Sequence, residues 1–330
     1  MQSEVLVRRA ERDNPIAAVR ELLEGCRWQE VVDQGASVVI KPNLCTERRE
    51  QIHTANTSLA VIRAVCEVLR ERTSRIAIVE SDGARYPAEA AFENNGIYQL
   101  AAEMDLQVVN LSKDELVGMP DARLRGFGMA RTWLDADVFI TLPVLKTHAT
   151  TVFTGALKNQ WGCIPRYDRI LLHKYLHELI GAINKLRPVT LGIMDGLVGM
   201  QGRGPINGYP INLNVLMASR DPVALDATAM RLIGLHPAAS RHVVHAQELG
   251  VGTMTEDAIT VNGPFAELRT RVEPAVEDWA IKFMNQISRS ELVTKHLLLN
   301  DHIFYPVRRV VTILRRLLGR RSPPSEAFAR

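Results

Sequence analysis

Val38-Val39-Ile40-Lys41-Pro42-Asn43 and, further along, Arg75-Ile76-Ala77-Ile78-Val79-Glu80-Ser81-Asp82-Gly83 are the stretches whose reading decides the fold. The first is an apolar run of strand length, closed by Pro42, which has no N–H to donate to a ladder. The second is another such run, closed by a polar turn. Between them, residues 57–70 place apolar side chains at 59, 62, 65, 66 and 69, the three-and-four spacing of a helix, with Thr57 and Ser58 as caps. The unit reads as strand, helix, strand.

The alternation continues outward. Residues 96–104 read as a helix, 107–111 as a strand and 137–142 as a buried strand. Residues 171–186 read as a helix, 190–194 as a strand ending at Asp195, 214–218 as a strand and 223–233 as a helix. Strand runs alternating with helices predict an α/β fold, a mostly parallel sheet with helices on both faces. Three segments are expected: an N-terminal segment over 1–37, an α/β core over 38–263 and a helical C-terminal extension over 264–330. Glycine-rich stretches at 118–128 and 196–210 are candidate hinges or active-site loops.

Composition narrows the function classes. The 330 residues are 46% hydrophobic and 23% charged, ordinary for a globular chain and unlike a disordered or collagenous one. Lys and Arg number 40 against 37 Asp and Glu, a net +3. Residues 303–330 hold seven of the Arg against Glu326, a local +6, so the rest of the chain is −3. A slightly acidic body argues against a nucleic-acid partner. Cys26, Cys45, Cys66 and Cys163 form no CxxC pair, so no iron–sulfur motif lies in the chain, and a reducing, cytoplasmic compartment is expected. The charged start of the chain is no secretory signal, and the longest uncharged stretch, 204–219, is too short and polar to span a bilayer.

In open α/β sheets ligands sit at the carboxyl ends of strands, and the polar residues there are the candidates. They are Lys41 and Asn43, Glu80, Ser81 and Asp82, Lys146 and His148, Asp195, and Asp221, with Asp82 and Asp221 also suited to capping. Residues 142–165, LPVLKTHATTVFTGALKNQWGCIP, hold Lys146, His148, Lys158 and Asn159 without one acid. Two lysines beside a histidine depress one another's pKa and attract an anion. His148, Lys158 and Lys146 are therefore the expected catalytic groups, for Lys nucleophilic or His acid–base chemistry. Lys41, Asn43, Asn159, Gly202 and Arg203 are the expected substrate binders, the last two from a loop whose glycines free backbone amides and whose Arg clamps an anion. Glu80, Asp82 and Asp195 would polarise His148 or hold a metal. His173 and His177, four apart on the expected helix, are the candidate metal ligands. No GxSxG elbow exists, and Cys45 has no His partner in sequence. An enzyme acting on a small anionic carboxylate is expected; the alternative is a non-catalytic binding or electron-transfer-partner module.

Together the motifs resemble the bacterial and archaeal family called domain of unknown function 362, from about residue 38 to 252. The resemblance rests on Lys41-Pro42-Asn43, Glu80-Ser81-Asp82-Gly83, Ala136-Asp137 to Pro143, Lys146-Thr147-His148, Thr154-Gly155-Ala156-Leu157-Lys158-Asn159 with Gly162, His173, Asp195-Gly196, Gly202-Arg203-Gly204-Pro205 and Asp221-Pro222-Val223-Ala224-Leu225-Asp226. Many members carry a ferredoxin-like pair of four-iron clusters beside this domain. This chain lacks those cysteines, so the resemblance implies a separate ferredoxin-type partner if electrons are involved. A fainter likeness is to the nickel-pincer lactate racemases, in which a Lys follows a His by ten residues, as Lys158 follows His148. In that family the His is an acid–base and the Lys carries the cofactor covalently. This chain has Leu157-Lys158-Asn159 where those enzymes have Gly-Arg-Lys.

On a helical wheel Ile303, Val307, Val310, Val311, Leu314, Leu317 and Leu318 share one side, and Arg308, Arg309, Arg315, Arg316 and Arg320 lie opposite. A cationic amphipathic helix is expected at the C-terminus, packed on the protein's own core or docked on an anionic membrane surface.

Overall fold

The computed structural model describes residues 2–317 apart from 120, 125, 276, 278 and 289. The chain forms two compact units, Met1–Val276 and Glu277–Arg330.

The strands of the first unit are β1 (Ser3–Arg9), β2 (Val38–Pro42), β3 (Ile76–Glu80), β4 (Gln107–Asn110), β5 (Leu116–Val117), β6 (Met129–Ala130), β7 (Val138–Leu142), β8 (Val144–His148), β9 (Val152–Thr154), β10 (Leu191–Gln201), β11 (Tyr209–Ser219) and β12 (Ile259–Asn262). The main sheet runs β12-β1-β11-β10-β7-β2-β3-β4, with β8 branching from β10 and pairing β9; β5 and β6 make a separate small ladder. The block β10-β7-β2-β3-β4 is parallel throughout, whereas β11 pairs antiparallel with both β1 and β10. Alternate strand residues serve two cores. Val38, Ile40, Ile76 and Ile78 pack with the helix Leu59–Leu69, while Val39, Val79 and Phe139 belong to the cluster beneath Leu176–Leu186, Pro222–Leu232 and Arg241–Glu248. Helices therefore cover both faces of a mostly parallel sheet.

Several elements differ from the sequence reading, each for a local reason. Residues 1–37 are not a separate segment, because β1 inserts between β11 and β12. Residues 264–273 stay with the first unit: Thr270 N and Val272 N donate to Leu232 O and Ile233 O, and Gly202 N donates to Glu273 O. The unit boundary thus falls after residue 276 rather than 263. Pro143 ends the β7 ladder, and the chain resumes as β8 beside β10, so Lys146 and His148 lie on a strand rather than after one. Asp195 lies inside the long β10 because that strand continues into a hairpin with β11, of which the glycine-rich 202–208 is the tip. The expected helix over 171–186 starts as a 3₁₀ turn, Arg169–Tyr175, and becomes α-helical only at Leu176.

The second unit contains the helices Trp279–Ile287 and Asp301–Leu317. Leu318, Arg320 and the Ser322-Pro323-Pro324-Ser325 stretch lie outside the described residues.

Candidate functional site

The carboxyl ends of β2 and β3 lie side by side, and the charges they carry are paired. Lys41 Nζ donates to Glu80 Oε2 at 2.6 Å and to Pro42 O at 2.8 Å, both side chains being buried. Glu80 also accepts from Leu44 N and Ser81 N. Gly162 closes over this pair: a Cβ there would stand 2.9 Å from Glu80 Oε1 and 3.0 Å from Lys41 Nζ. Asn159 donates to Lys41 O and to Thr141 Oγ1, both at 2.9 Å, and accepts from Asn43 Nδ2. Asn43 Oδ1 in turn accepts from Lys146 Nζ at 2.8 Å, which also donates to Ala55 O at 2.8 Å and Cys45 Sγ at 3.1 Å. An ammonium group has three donors. All three of Lys146's are engaged, so it does not stand ready to clamp a substrate.

Lys158 is the opposite case. It projects from the four-residue helix Ala156–Asn159, whose first amides, Ala156 N and Leu157 N, donate to the buried carboxylate of Asp226 at 2.6 and 3.1 Å. Gly155 makes that approach feasible, since a Cβ there would collide with Asp226 Oδ1. Burial raises Asp226 to about 7. The Lys158 amine has no hydrogen-bond or ion-pair partner among the described residues. Burial first, and the Lys146 charge second, pull its pKa down to about 8.

His148, His173 and Arg169 are near enough for their charges and that of Lys158 to act on one another. His148 Nδ1 accepts from Thr150 N at 3.0 Å and Thr151 N at 3.3 Å, so the ring proton sits on Nε2. Burial, then Lys158 and Lys146, hold its pKa well below the usual imidazole value. His148 is therefore a neutral donor, not a base, at neutral pH. His173 is lowered to about 4 by burial, Lys158 and Arg169, and its ring tilts against Trp161 at 5.8 Å. Arg169 Nη1 donates to Ser81 Oγ at 2.9 Å, Asp82 O at 2.8 Å and Ile164 O at 3.1 Å, with no carboxylate in ion-pair contact among the described residues. Lys158 and Arg169 are thus two cations with no carboxylate in ion-pair contact among the described residues, an arrangement that favours an anion.

Other expected members are elsewhere or otherwise engaged. Asp82 Oδ1 accepts from Ala88 N and Asn110 Nδ2, fixing the loop before the helix Ala88–Asn94. Asp221 caps the helix Pro222–Leu232 through Val223 N and Ala224 N. Asp195 accepts from Ser58 N at 2.8 Å and Leu197 N at 3.0 Å and lies at a separate cavity of about 700 Å³, lined also by Arg12, His53 and Asn56. Burial raises it to about 6. The segment Ala55-Asn56-Thr57 divides that cavity from Lys146, because Ala55 O accepts from the Lys146 ammonium while Asn56 and Thr57 line the cavity. Gly202 is no anion cradle: its amide is bonded to Glu273 O, and its carbonyl accepts from Thr147 Oγ1 at 3.2 Å. These glycines let the hairpin tip press on β8, where a Cβ at Gly204 would strike Thr147 O. Arg203 is half-buried and has no hydrogen-bond or ion-pair partner among the described residues.

The helix break at Leu176 sends the two candidate metal ligands to different neighbours. His173 meets Trp161, whereas His177 stacks on His242 with ring centroids 6.3 Å apart. Among the described residues no three His, Cys, Asp or Glu are grouped to hold a metal. Cys26, Cys66 and Cys163 lie buried, each pushed up to about 12 chiefly by burial. Sequence reasoning missed Arg169 and Asp226 as members of the site. Asp226 had a signal in the run beginning Asp221-Pro222, whereas Arg169 falls in a 3₁₀ turn with no regular spacing to mark it.

The family model described as Domain of unknown function (DUF362) matches residues 38–231. A thylakoid-associated protein of Synechocystis sp. (strain ATCC 27184 / PCC 6803 / Kazusa) is 28% identical over 275 residues, 81% of this chain and 83% of its own length. Among solved structures, the lactate racemase apoprotein from Thermoanaerobacterium thermosaccharolyticum has a TM-score of 0.43 at 12% identity, over 74% of this chain and 56% of that one. A Thermotoga maritima protein has a TM-score of 0.41 at 11% identity, over 74% of this chain and 60% of that one. The chain thus matches less than two thirds of the length of either solved structure.

Proposed function

The chain belongs to the Domain of unknown function (DUF362) family, a name that assigns no reaction, and from its own geometry we propose that it is an enzyme acting on a small carboxylate by proton transfer at Lys158. The observation that carries this reading is the Lys158 amine itself, half-buried, without a partner and lowered to about 8. Such an amine is substantially neutral near pH 8 and can take a proton from a carbon beside a carboxylate or carbonyl. The C–H bond breaks, its electron pair moves onto the neighbouring oxygen, and the proton ends on Lys158 Nζ. His148 Nε2–H is the donor that meets the developing oxyanion, and Arg169 supplies positive charge for the carboxylate. Lys41, Glu80, Asn43, Asn159 and Lys146 form the rigid floor.

The test is hydrogen exchange in D2O, followed by NMR, over a panel of small 2-hydroxy and 2-keto carboxylates. Exchange should rise with pH through about 8, vanish in Lys158→Ala and fall about 10²-fold in His148→Gln. A carboxylate that raises the melting temperature without exchange or turnover, equally in both variants, would make the chain a binding module, including one serving a separate ferredoxin-type partner.

We assign the protein to a reducing, cytoplasmic compartment, on its unbridged cysteines, and to the periphery of a membrane. No helix among the described residues is long and apolar enough to cross a bilayer. The Synechocystis relative is named thylakoid-associated, which supports the peripheral address.

A further inference from the structure

Several large apolar side chains of the second unit are exposed. Along the helix Asp301–Leu317, Ile303 is 40% exposed, Val310 55%, Ile313 48% and Leu314 41%. At 100° per residue these positions fall within about 100° of the helix circumference. In the same unit Phe283 is 50% and Leu292 71% exposed. Large apolar groups open in such numbers on a short segment mark a surface that something covers.

The charge pattern says what. On the wheel Arg308 and Arg315 lie opposite that apolar stripe and Arg309 and Arg316 flank it, and the sequence from 303 onward is +6 while the rest of the chain is −3. A net-negative protein surface or a second copy of the same cationic helix does not complement this stripe and its flanks together. A leaflet of anionic lipid does both, with acyl chains for the stripe and headgroups for the arginines. Pro306 has no N–H to donate and lies near the start of the helix, leaving an unbroken span from residue 307 to carry both faces.

We propose that the helix Asp301–Leu317 is a membrane-docking element that lies in the plane of an anionic leaflet. This rests on the peripheral address proposed above and goes beyond it by naming the element and the lipid chemistry. Neither the apolar stripe nor one acyl-depth insertion holds the protein alone, so binding is reversible and falls as salt screens the arginines over roughly 8–10 Å.

The experiment is flotation of the full chain with vesicles of phosphatidylcholine alone and with 30 mol% anionic phospholipid (a mixture of about that content), at low and physiological salt. Two full-length variants accompany it: Arg309→Gln with Arg315→Gln and Arg316→Gln, and Val310→Asp with Leu314→Asp, all in the second unit. Binding should require anionic lipid, weaken with salt, drop about fivefold for each Arg neutralised, and be lost in the double Asp variant. Circular dichroism and melting of both variants establish that they are folded. If the parent floats with anionic vesicles and both variants float equally well, the docking element lies elsewhere; the proposal fails and the peripheral address stands. If the parent floats with neither vesicle, both fail. If the parent is instead a concentration-dependent dimer that Leu314→Asp dissociates, a second copy covers the stripe and the proposal is overturned.

Discussion

Lys41 and Lys158 bring the same side chain to the same end of one sheet, into opposite surroundings. Lys41 is fully buried, ion-paired to Glu80 at 2.6 Å and hydrogen-bonded to Pro42 O. Lys158 is half-buried and has no partner among the described residues. Lys41 has a carboxylate in ion-pair contact; the Lys158 amine has none among the described residues and is pulled down to about 8, by burial first. Burial alone does not mark a functional cation. Burial without a counter-charge does, because the protein then carries a cost that a bound anion or a departing proton relieves.

That contrast makes mutations of opposite sign. The largest effect is expected at the paired end: Lys41→Met strands the Glu80 carboxylate and should cost about 3–5 kcal/mol of stability in urea unfolding. Lys158→Met removes a desolvated amine without stranding a partner and should leave stability within about 1 kcal/mol of the parent, or raise it. Equal losses at the two positions would erase the distinction.

A smaller effect is expected at the support for Lys158. Asp226→Asn replaces one acceptor oxygen by a donor facing a backbone amide, leaving a buried N–H unsatisfied at about 1–3 kcal/mol. The pH dependence has a definite sign. Because the folded pKa of Asp226 is raised to about 7, its contribution is fully present below the unfolded value near 4 and is lost as pH rises through 7. The stability margin of the parent over Asp226→Asn should therefore shrink between pH 4 and 8; a margin that grows would place the Asp226 pKa on the wrong side. The smallest effect is electrostatic: Lys146→Met removes the charge ranked after burial in depressing Lys158 and should move the Lys158 titration upward, by an amount read from the pH profile of amine acylation.

Much of this architecture was legible in the sequence. The β-α-β reading between Lys41 and Gly83 rests on period and punctuation, which are local, and the structure keeps it. The segment 142–165 was recognisable because four polar groups without an acid stand out in an otherwise apolar run. What the sequence hid was pairing. Lys41 and Glu80 are 39 positions apart, and Lys146 and Asn43 are 103 apart; no spacing rule shows that the first two charges cancel and that the Lys146 ammonium finds its acceptors while Lys158 stays alone. Asp195 looked like a strand-end acid because Gly196 follows it, yet β10 runs on through that glycine, and its carboxylate serves another cavity. The histidine pair at 173 and 177 looked like one helix face, and the 3₁₀ turn before Leu176 separated their neighbours.

The most direct test is titration of the Lys158 amine itself, by NMR of the reductively 13C-methylated protein, with Lys158→Arg identifying its resonance. A midpoint near 8, rising when a small carboxylate binds, is the predicted result. A midpoint near the ordinary lysine value of about 10.4 would mean that Lys158 is solvated or paired, and would contradict the account.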